Sequence, residues 1–296
     1  MKKLFIAIAM ACLTGNAMAQ LPVPENESMA DRMAREQYEA FIAGFGDEYK
    51  RLMELNDAFY KTTNRDSVDA LMRPLAQRLI TLQSEYMKNL PSTCMTAMLM
   101  EQNIAHMTVE QMKDAYGKFD ELAKQTKGGQ ALLKEIRTIE KVAPGSPAPE
   151  IAKQDFVTKK PFSLSSLKGK VVLLDFWASW CMPCRKSNPH VKELYEKYHK
   201  KGFEVVYVAD NDKNPEEALK AIKQDGIEKY YHVLRGLKEK KDASGQMIGY
   251  DNSEDISDAY AVHFLPTKYL IDRDGNLIGK EGDFNLDEKL KEIFGF

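Results

Sequence analysis

The sequence contains only four cysteines in 296 residues. That is too few for a fold held together by disulfides, so each cysteine has to be considered separately. The sequence also lacks a large excess of charge of either sign, because it contains 42 Lys and Arg and 44 Asp and Glu. We therefore expect no nucleic-acid partner. Beyond the N-terminus, no apolar run reaches the 18 or so residues that would cross a membrane.

A chain of 296 residues is longer than most single domains and fits two. Hydrophobic residues make up 44% and charged residues 29%, which is the ordinary balance of a soluble protein. This composition argues against a wholly disordered chain, a collagen-like fibre and a membrane protein with several spans.

The N-terminus has the pattern of a secretory signal peptide. Lys2 and Lys3 precede an apolar run over 4–13, and residues 17–19 read Ala-Met-Ala. The run is too short to span a bilayer, and the triplet of small residues is typical of a cleavage site. We expect residues 1–19 to be removed and the mature protein to be periplasmic, where disulfides persist.

Two other arrangements of this segment stay open. It can remain as an uncleaved anchor, or Cys12 can carry a lipid and make the protein a membrane-anchored lipoprotein. The residues at 9–11, Ala-Met-Ala, are a poor match to a lipoprotein signal. Cleavage after Ala19 leaves no membrane span, and it leaves three cysteines: Cys94, Cys181 and Cys184.

The clearest boundary in the mature chain is a run of prolines. Residues 143–149 contain three prolines and a glycine, which cannot sustain a helix. We predict a linker over 143–150 between a helical domain over 20–142 and an α/β domain over 151–296.

The N-terminal half shows helical periodicity. Its apolar residues recur at steps of three and four, as at Tyr38, Phe41, Ile42, Phe45 and Tyr49. Thr108 and Gln111 form a capping box that predicts the start of a helix. Gly128 and Gly129 predict its end, and a further helix is expected up to Lys141. Many methionines lie on these apolar stripes and indicate either core packing or a partner-binding groove.

The C-terminal half alternates between strand and helix patterns, which is typical of an α/β domain. Strands are predicted over 171–177, 203–209 and 231–234, and a hairpin over 268–279. Helices are predicted over 215–224, ended by Gly226, and from Asn285 to about Phe294. Residues 238–253 are polar and are interpreted as a surface insertion.

One motif carries the chemistry. Residues 177–184 read Trp-Ala-Ser-Trp-Cys-Met-Pro-Cys, where a strand ends and a helix begins. Two intervening residues let the sulfurs of Cys181 and Cys184 meet. The first thiol lies at the helix N-terminus, where free N–H groups and the helix dipole favour a thiolate. We expect Cys181 to be exposed and to attack a substrate disulfide, and the shielded Cys184 to resolve the mixed disulfide.

Two simpler interpretations of the motif are a zinc half-site and a structural disulfide. A structural zinc site needs four ligands, and the motif has no second cysteine pair. His190 and His199 follow it at a spacing that does not suit a shared metal, so no metal is expected. A structural disulfide does not require a proline-stiffened helix start.

Residues 172–184 resemble the active-site strand and turn of the thioredoxin superfamily. Residues 146–149 (Ser-Pro-Ala-Pro) and 264–267 (Phe-Leu-Pro-Thr) resemble its exported TlpA/ResA branch. This resemblance covers about residues 143–296. The helical half, ending in Ile-Glu-Lys-Val-Ala-Pro-Gly at 139–145, is similar to the N-terminal region of exported Bacteroidetes-type members.

The resemblance implies a thioredoxin-like C-terminal domain, with a central mixed sheet flanked by helices, after an all-α N-terminal domain. It implies a thiol–disulfide oxidoreductase that reduces or isomerises protein disulfides. The expected partners are disulfide-containing client proteins and a membrane thiol electron donor, and no cofactor is expected.

The same resemblance assigns the site residues. Cys181 matches the nucleophile, Cys184 the resolving cysteine, and Pro266 a cis-proline that faces them. Asp175 matches a buried carboxylate beneath the site, and its apolar neighbours predict a raised pKa. The implied substrate-binding residues are Trp180, Met182, Pro183, Leu265 and Thr267.

The sequence departs from this pattern at one position. Ser187 stands where many relatives in the cytochrome-maturation branch carry a glutamate, which argues against a narrow role in cytochrome c assembly. Asp175 is then the remaining candidate proton acceptor.

Two alternative functions stay open. A peroxiredoxin-like peroxidase is disfavoured because Ala178-Ser179-Trp180 offers no threonine shortly before the cysteine. A client-binding chaperone or adaptor without activity is disfavoured by the intact cysteine motif.

Two further residues have weaker cases. His263 either borders the substrate groove or is an ordinary surface histidine. Cys94 is either a buried inert thiol or a third redox-active or intermolecular cysteine.

Overall fold

A computed structural model describes residues 28–44, 46–62, 67–68, 70–78, 81, 94–211 and 213–295. The predicted signal peptide and Cys12 lie outside these residues. The chain divides after Ile136 into two compact units, and the division falls inside a helix. Among the described residues, no helix combines the length and the apolar character that crossing a membrane requires.

The N-terminal unit is helical, as its periodicity predicts. Residues 70–78 are helical, and the other helices are α1 (Met29–Ala43), α2 (Gly46–Lys61), α3 (Cys94–Asn103), α4 (Val109–Lys118), α5 (Glu121–Gln125) and α6 (Lys127–Lys141). Several methionines of this unit are buried in its core, among them Met72, Met98 and Met112. Their burial favours core packing over a methionine-lined groove.

Two predictions about helix ends can be compared with the structure, and one is confirmed while the other is wrong. The capping box of Thr108 and Gln111 is present and starts α4. The helix ends at Phe119, not at Gly128 and Gly129, so the predicted break at the glycines is wrong. Both glycines lie in the first turn of α6. A Cβ atom on Gly128 would lie 2.3 Å from the carbonyl oxygen of Ala97, so this position needs glycine for close packing of helices.

The C-terminal unit alternates strands and helices. Its strands are β1 (Ala152–Gln154), β2 (Pro161–Ser163), β3 (Val171–Trp177), β4 (Phe203–Ala209), β5 (Tyr231–Leu234), β6 (Lys238–Lys241), β7 (Met247–Asp251), β8 (Thr267–Ile271) and β9 (Leu277–Lys280). Its helices are α7 (Met182–Tyr198), α8 (Pro215–Asp225), α9 (Ile256–Ala259) and α10 (Leu286–Phe294). The strands and helices predicted from the sequence are all present, with bounds within one or two residues.

A five-stranded mixed sheet with the order β5-β4-β3-β8-β9 forms the centre of this unit. β3, β4 and β5 are parallel, and β8 runs antiparallel to both β3 and β9. One face packs against α7, α8 and α10, and the other packs against β2 and α9. Because both faces are covered, every residue of β3 and β4 is buried, which accounts for their continuous apolar pattern.

The proline-rich segment over 143–150 is bound to the C-terminal unit. Gly145 donates its N–H to the carbonyl oxygen of Leu277 at 2.7 Å, and Ala148 donates to Gly275 at 2.9 Å. Val142, just before it, is buried in the core on the β2 side of the sheet. The segment is therefore anchored along the β8–β9 hairpin, and the domain bounds drawn around it stay a prediction.

The predicted surface insertion at 238–253 is an antiparallel hairpin of β6 and β7. Met247, Ile248 and Tyr250 on β7 are exposed. The ammonium group of Lys213 lies over the ring of Tyr250, 5.7 Å from its centroid.

Candidate functional site

The two cysteines of the motif lie at the start of α7, just after the end of β3. Cys181 is the N-cap residue of α7 and Cys184 lies in its first turn, with Pro183 between them at a position that needs no backbone N–H. Their sulfurs form a disulfide bond. The backbone N–H of Cys184 donates to the Cys181 sulfur, with N and Sγ 3.3 Å apart. This donor, together with the helix dipole, favours negative charge on the Cys181 sulfur after reduction.

Exposure differs less between the cysteines than the sequence predicts. Cys181 is 4% exposed and Cys184 is 1% exposed. The expectation of an exposed Cys181 is wrong for this disulfide form, because its sulfur is bonded to the buried Cys184 and lies against the helix start. Trp180 and Met182, which flank Cys181 in the sequence, are 64% and 57% exposed, so two exposed apolar side chains adjoin the cysteine pair.

The turn that leads to Cys181 is fixed by a residue that the sequence analysis missed. Asn211, which follows β4, accepts the N–H of Ser179 at 2.9 Å and donates its amide to the Ser179 hydroxyl at 2.8 Å. The link joins the carboxyl ends of two neighbouring parallel strands. No local pattern marks Asn211, and only the pairing of β3 with β4 brings it to the site.

A polar network holds the first turns of α7 from the other side. Arg185, directly after Cys184, makes a bidentate ion pair with Asp225 at the end of α8, at 2.7 and 3.0 Å. Asp225 also accepts the side-chain amide of Asn188, whose oxygen accepts the Tyr207 hydroxyl. A bidentate pair of this kind sets orientation as well as adding energy. No local sequence pattern predicts these contacts.

The loop before β8 contains the cis-proline that the resemblance implies. The Leu265–Pro266 peptide bond is cis. Thr267 begins β8 opposite Phe176 of β3, so this loop lies at the end of β3 from which the cysteines follow. The Thr267 hydroxyl donates to the Phe264 carbonyl oxygen at 2.7 Å. Pro266 is exposed and Leu265 is half-buried.

Asp175 is buried in β3, two residues before the strand ends, with 1% of its surface exposed. It faces the same side of the sheet as Leu173 and Trp177, which belong to the core that contains both cysteines. Burial raises the pKa of its carboxyl group to about 7, with the positive charge of Lys268 acting in the opposite direction. The predicted rise in pKa therefore has its expected cause.

The remaining candidates are Ser187, His263 and Cys94. The Ser187 hydroxyl donates to the carbonyl oxygen of Cys184 at 2.7 Å, so it serves the helix backbone. His263 is exposed. Cys94 is a buried free thiol in the other unit, and its burial raises its pKa. The described residues include no group of three or more side chains placed to hold a metal ion.

The sequence matches the Redoxin family over residues 143–292, which is half of the chain. The chain belongs to this family. The match begins at the anchored proline segment and includes the cysteine pair and the cis-proline loop. A family match and a bonded cysteine pair at a helix N-terminus identify this redoxin-family chain as a thiol–disulfide oxidoreductase with a thioredoxin-like C-terminal half.

Curated relatives have the same character. The redoxin half is 36% identical over 158 residues to the thiol-disulfide oxidoreductase ResA of Bacillus thuringiensis (strain Al Hakam), covering 52% of this chain and 80% of that one. It is 32% identical over 139 residues to ResA of Bacillus subtilis (strain 168), covering 47% and 67%. These alignments cover about half of this chain.

Solved structures give similar matches. The thioredoxin domain of a thiol-disulfide oxidoreductase from Bacteroides vulgatus is 30% identical, with a TM-score of 0.41, and covers 51% of this chain and 96% of that one. A putative thiol:disulfide interchange protein DsbE from Chlorobium tepidum is 30% identical, with a TM-score of 0.40, and covers 51% and 97%.

Proposed function

We propose that this redoxin-family protein reduces or isomerises disulfide bonds of exported client proteins through Cys181 and Cys184. The observation that carries the proposal is the bonded cysteine pair at the start of α7, beside the exposed side chains of Trp180 and Met182. An exposed apolar rim next to a redox pair suits an unfolded or extended protein segment better than a small polar substrate.

The reaction divides into two exchanges. The Cys181 thiolate attacks one sulfur of a client disulfide, forming a mixed disulfide and releasing the other client sulfur as a thiolate. Cys184 then attacks the Cys181 sulfur, re-forms the Cys181–Cys184 bond and releases the second client thiolate. Two electrons pass from the cysteine pair to the client, and a membrane thiol donor returns them.

Asp175 is proposed as the group that takes the proton from Cys184 before the second attack. Its pKa of about 7 lets it accept a proton near neutral pH, which a carboxyl group with an ordinary pKa does poorly. Ser187, in the place of the glutamate of many relatives, offers no carboxylate for this step.

Client binding is proposed at the cis-proline loop and the rim of the cysteine pair. A client strand would pair with the backbone beside Pro266, and Leu265 and Thr267 would contribute to its selection, as would Met182 and Pro183 across the site. The exposed face of Trp180 would cover the client sulfur.

Export to the periplasm is proposed from the N-terminal pattern at 1–19, with lipid attachment through Cys12 as the alternative. An oxidising compartment provides client disulfides, which are rare in the cytosol.

Reduction of insulin by the full chain, with dithiothreitol as electron source, tests this function. The chain is expected to accelerate precipitation of the insulin B chain, and Cys181→Ser is expected to abolish the acceleration. Cys94→Ser, which removes the cysteine of the other unit, is the matched control and should leave the rate unchanged. A Cys181→Ser chain that is as fast as the original would refute the proposal.

The reduction potential of the pair decides between the directions of exchange. A reduction potential of about −270 mV, as in thioredoxin, is expected for a reductase. A value of about −120 mV would instead mark an oxidant of thiols and would overturn the reductase assignment.

A further inference from the structure

Lys268 is a buried lysine beside the redox site. It lies in β8, two residues after the cis-proline, and only 4% of its surface is exposed. The register of β8 on β3 pairs it directly with Asp175. Lysine is rarely buried unless it has a charged partner, because removing an ammonium group from water is costly.

Two carboxylates face this ammonium group. The Lys268 Nζ lies 3.8 Å from Asp175 Oδ2 and 3.4 Å from Glu281 Oε2. Glu281 follows β9, and its backbone N–H donates to the Lys268 carbonyl oxygen at 2.8 Å. The side chain of Glu281 is 42% exposed, whereas that of Asp175 is 1% exposed. The three groups therefore form a row from the buried core of the sheet to the solvent.

The other groups that face Asp175 carry no charge near neutral pH while Cys181 is held in a disulfide. Across β4, its neighbour in the register is Tyr207, whose hydroxyl donates to Asn188 and whose burial keeps its pKa well above the usual value. On the side of α7, the cysteine pair is part of the same hydrophobic core as Leu173 and Trp177, the neighbours of Asp175 on its face of β3. One of the two oxygens of Asp175, Oδ1, has no hydrogen-bond partner within the described part of the chain. Burial has the largest influence on the ionisation of Asp175, and the charges that act on it besides are those of Lys268 and Glu281.

We propose that Lys268 is a positioning residue of the redox site, which favours the ionised form of the Asp175 carboxylate, and that Glu281 opposes it from the solvent side. The inference rests on the proposed role of Asp175 as the base for Cys184. In that step the Cys184 thiol transfers its proton to the Asp175 carboxylate. The resulting thiolate attacks the Cys181 sulfur of the mixed disulfide, and the client sulfur leaves with the electron pair of the broken bond.

Removing the charge of Lys268 and removing that of Glu281 should shift the pH–rate profile in opposite directions. A purely structural role of the two side chains predicts no such pair of shifts. The positive charge of Lys268 lowers the pKa of Asp175, and the negative charge of Glu281 raises it. Lys268→Met should therefore move the midpoint of the pH–rate profile to higher pH, by about one unit. Glu281→Gln should move the midpoint to lower pH, and Lys268→Arg should keep it near that of the original chain.

Stopped-flow reaction of the reduced full chain with dithiobis-nitrobenzoate measures this step. The first release of thionitrobenzoate follows attack by Cys181, and the second follows resolution by Cys184. At pH 7, a shift of about one unit in Lys268→Met should slow the second release by about fivefold. Lys170→Met is the matched control. Lys170 lies just before β3, and its ammonium group pairs with Glu204 at 2.5 Å and not with Asp175. It should leave the midpoint in place.

The outcomes distinguish a failure of the role proposed for Lys268 and Glu281 from a failure of the role proposed for Asp175. If Asp175→Asn slows the second release but Lys268→Met and Glu281→Gln leave the midpoint unmoved, this inference is overturned and the role of Asp175 stands. If Asp175→Asn has no effect, the role of Asp175 fails, and the inference fails with it. If Lys268→Met does not fold, Glu281→Gln carries the same test, because its side chain is partly exposed. An unmoved or upward-shifted midpoint in Glu281→Gln then overturns the inference.

Discussion

Replacing Asp175 by asparagine should make the C-terminal unit more stable above neutral pH while slowing its chemistry. The side chain is buried in an apolar core, and burial raises its pKa from 3.8 to about 7. Asparagine has nearly the same shape and never ionises. The difference in stability between the two chains therefore reports the cost of keeping a carboxylate at this position.

The size of the effect follows from linkage between protonation and folding. Between the unfolded pKa of 3.8 and the folded pKa of about 7, the folded chain holds a proton that the unfolded chain has lost, so the stability of the original chain falls as pH rises. The interval is about 3 units, and each unit corresponds to 1.36 kcal/mol, so the total is about 4 kcal/mol. The advantage of Asp175→Asn should grow across this window and become constant above about pH 8.

Urea unfolding of the oxidised chains, followed by tryptophan fluorescence, measures this difference. Both tryptophans of the sequence, Trp177 and Trp180, belong to the C-terminal unit, so the signal reports on that unit. Asp274→Asn, which removes a carboxylate at an exposed position in the β8–β9 turn, is the matched control and should lack the gain of about 4 kcal/mol because the side chain is not buried. Parallel stability curves for Asp175→Asn and the original chain would refute the reasoning.

Other predictions concern packing, the anchored segment and the active-site turn. Gly128→Ala should lower the free energy of unfolding by about 1–3 kcal/mol, because the added Cβ would meet a backbone oxygen. Urea unfolding followed by circular dichroism measures this loss. Gly117→Ala, in α4 with open space around it, should be neutral or stabilising by up to about 1 kcal/mol. A fragment over 137–296 should be stable and reduce insulin, whereas one over 151–296 should melt at a lower temperature, since it lacks the backbone bonds to the β8–β9 hairpin. Asn211→Ala should slow insulin reduction and cost about 1–3 kcal/mol, because two hydrogen bonds to the turn before the cysteines are lost; an unchanged rate would show that Asn211 does not position that turn.

The features that could be predicted from the sequence are those with a local signal. β3 and β4 are apolar runs, each with one acidic residue, because both faces of the sheet are covered. The cysteine pair follows β3 directly, so its place at a helix start could be predicted from neighbouring residues alone. The turn at 272–275 and the Asn285 cap are likewise encoded within a few residues.

The features that escaped prediction depend on contacts between distant parts of the chain. Lys268 reaches Asp175 only through the antiparallel register of β8 on β3, and Asn211 reaches Ser179 only through the pairing of β3 with β4. Gly128 predicts a helix end wrongly because glycine marks both a helix end and a close approach of two backbones, and the sequence does not distinguish the two. The buried state of Cys181 reflects its bond to Cys184.

The most direct test of the proposed exchange is the mixed disulfide itself. Reduced Cys184→Ser and Cys181→Ser chains are incubated with a disulfide-containing client such as insulin, quenched with acid, and analysed by intact mass and peptide mapping. Cys184→Ser should accumulate an adduct of chain and client joined through Cys181, since the motif then has no second thiol to resolve it. Cys181→Ser should accumulate none. An adduct that forms on Cys184 in the Cys181→Ser chain, with none on Cys181 in the other, would contradict the assignment of Cys181 as the attacking residue.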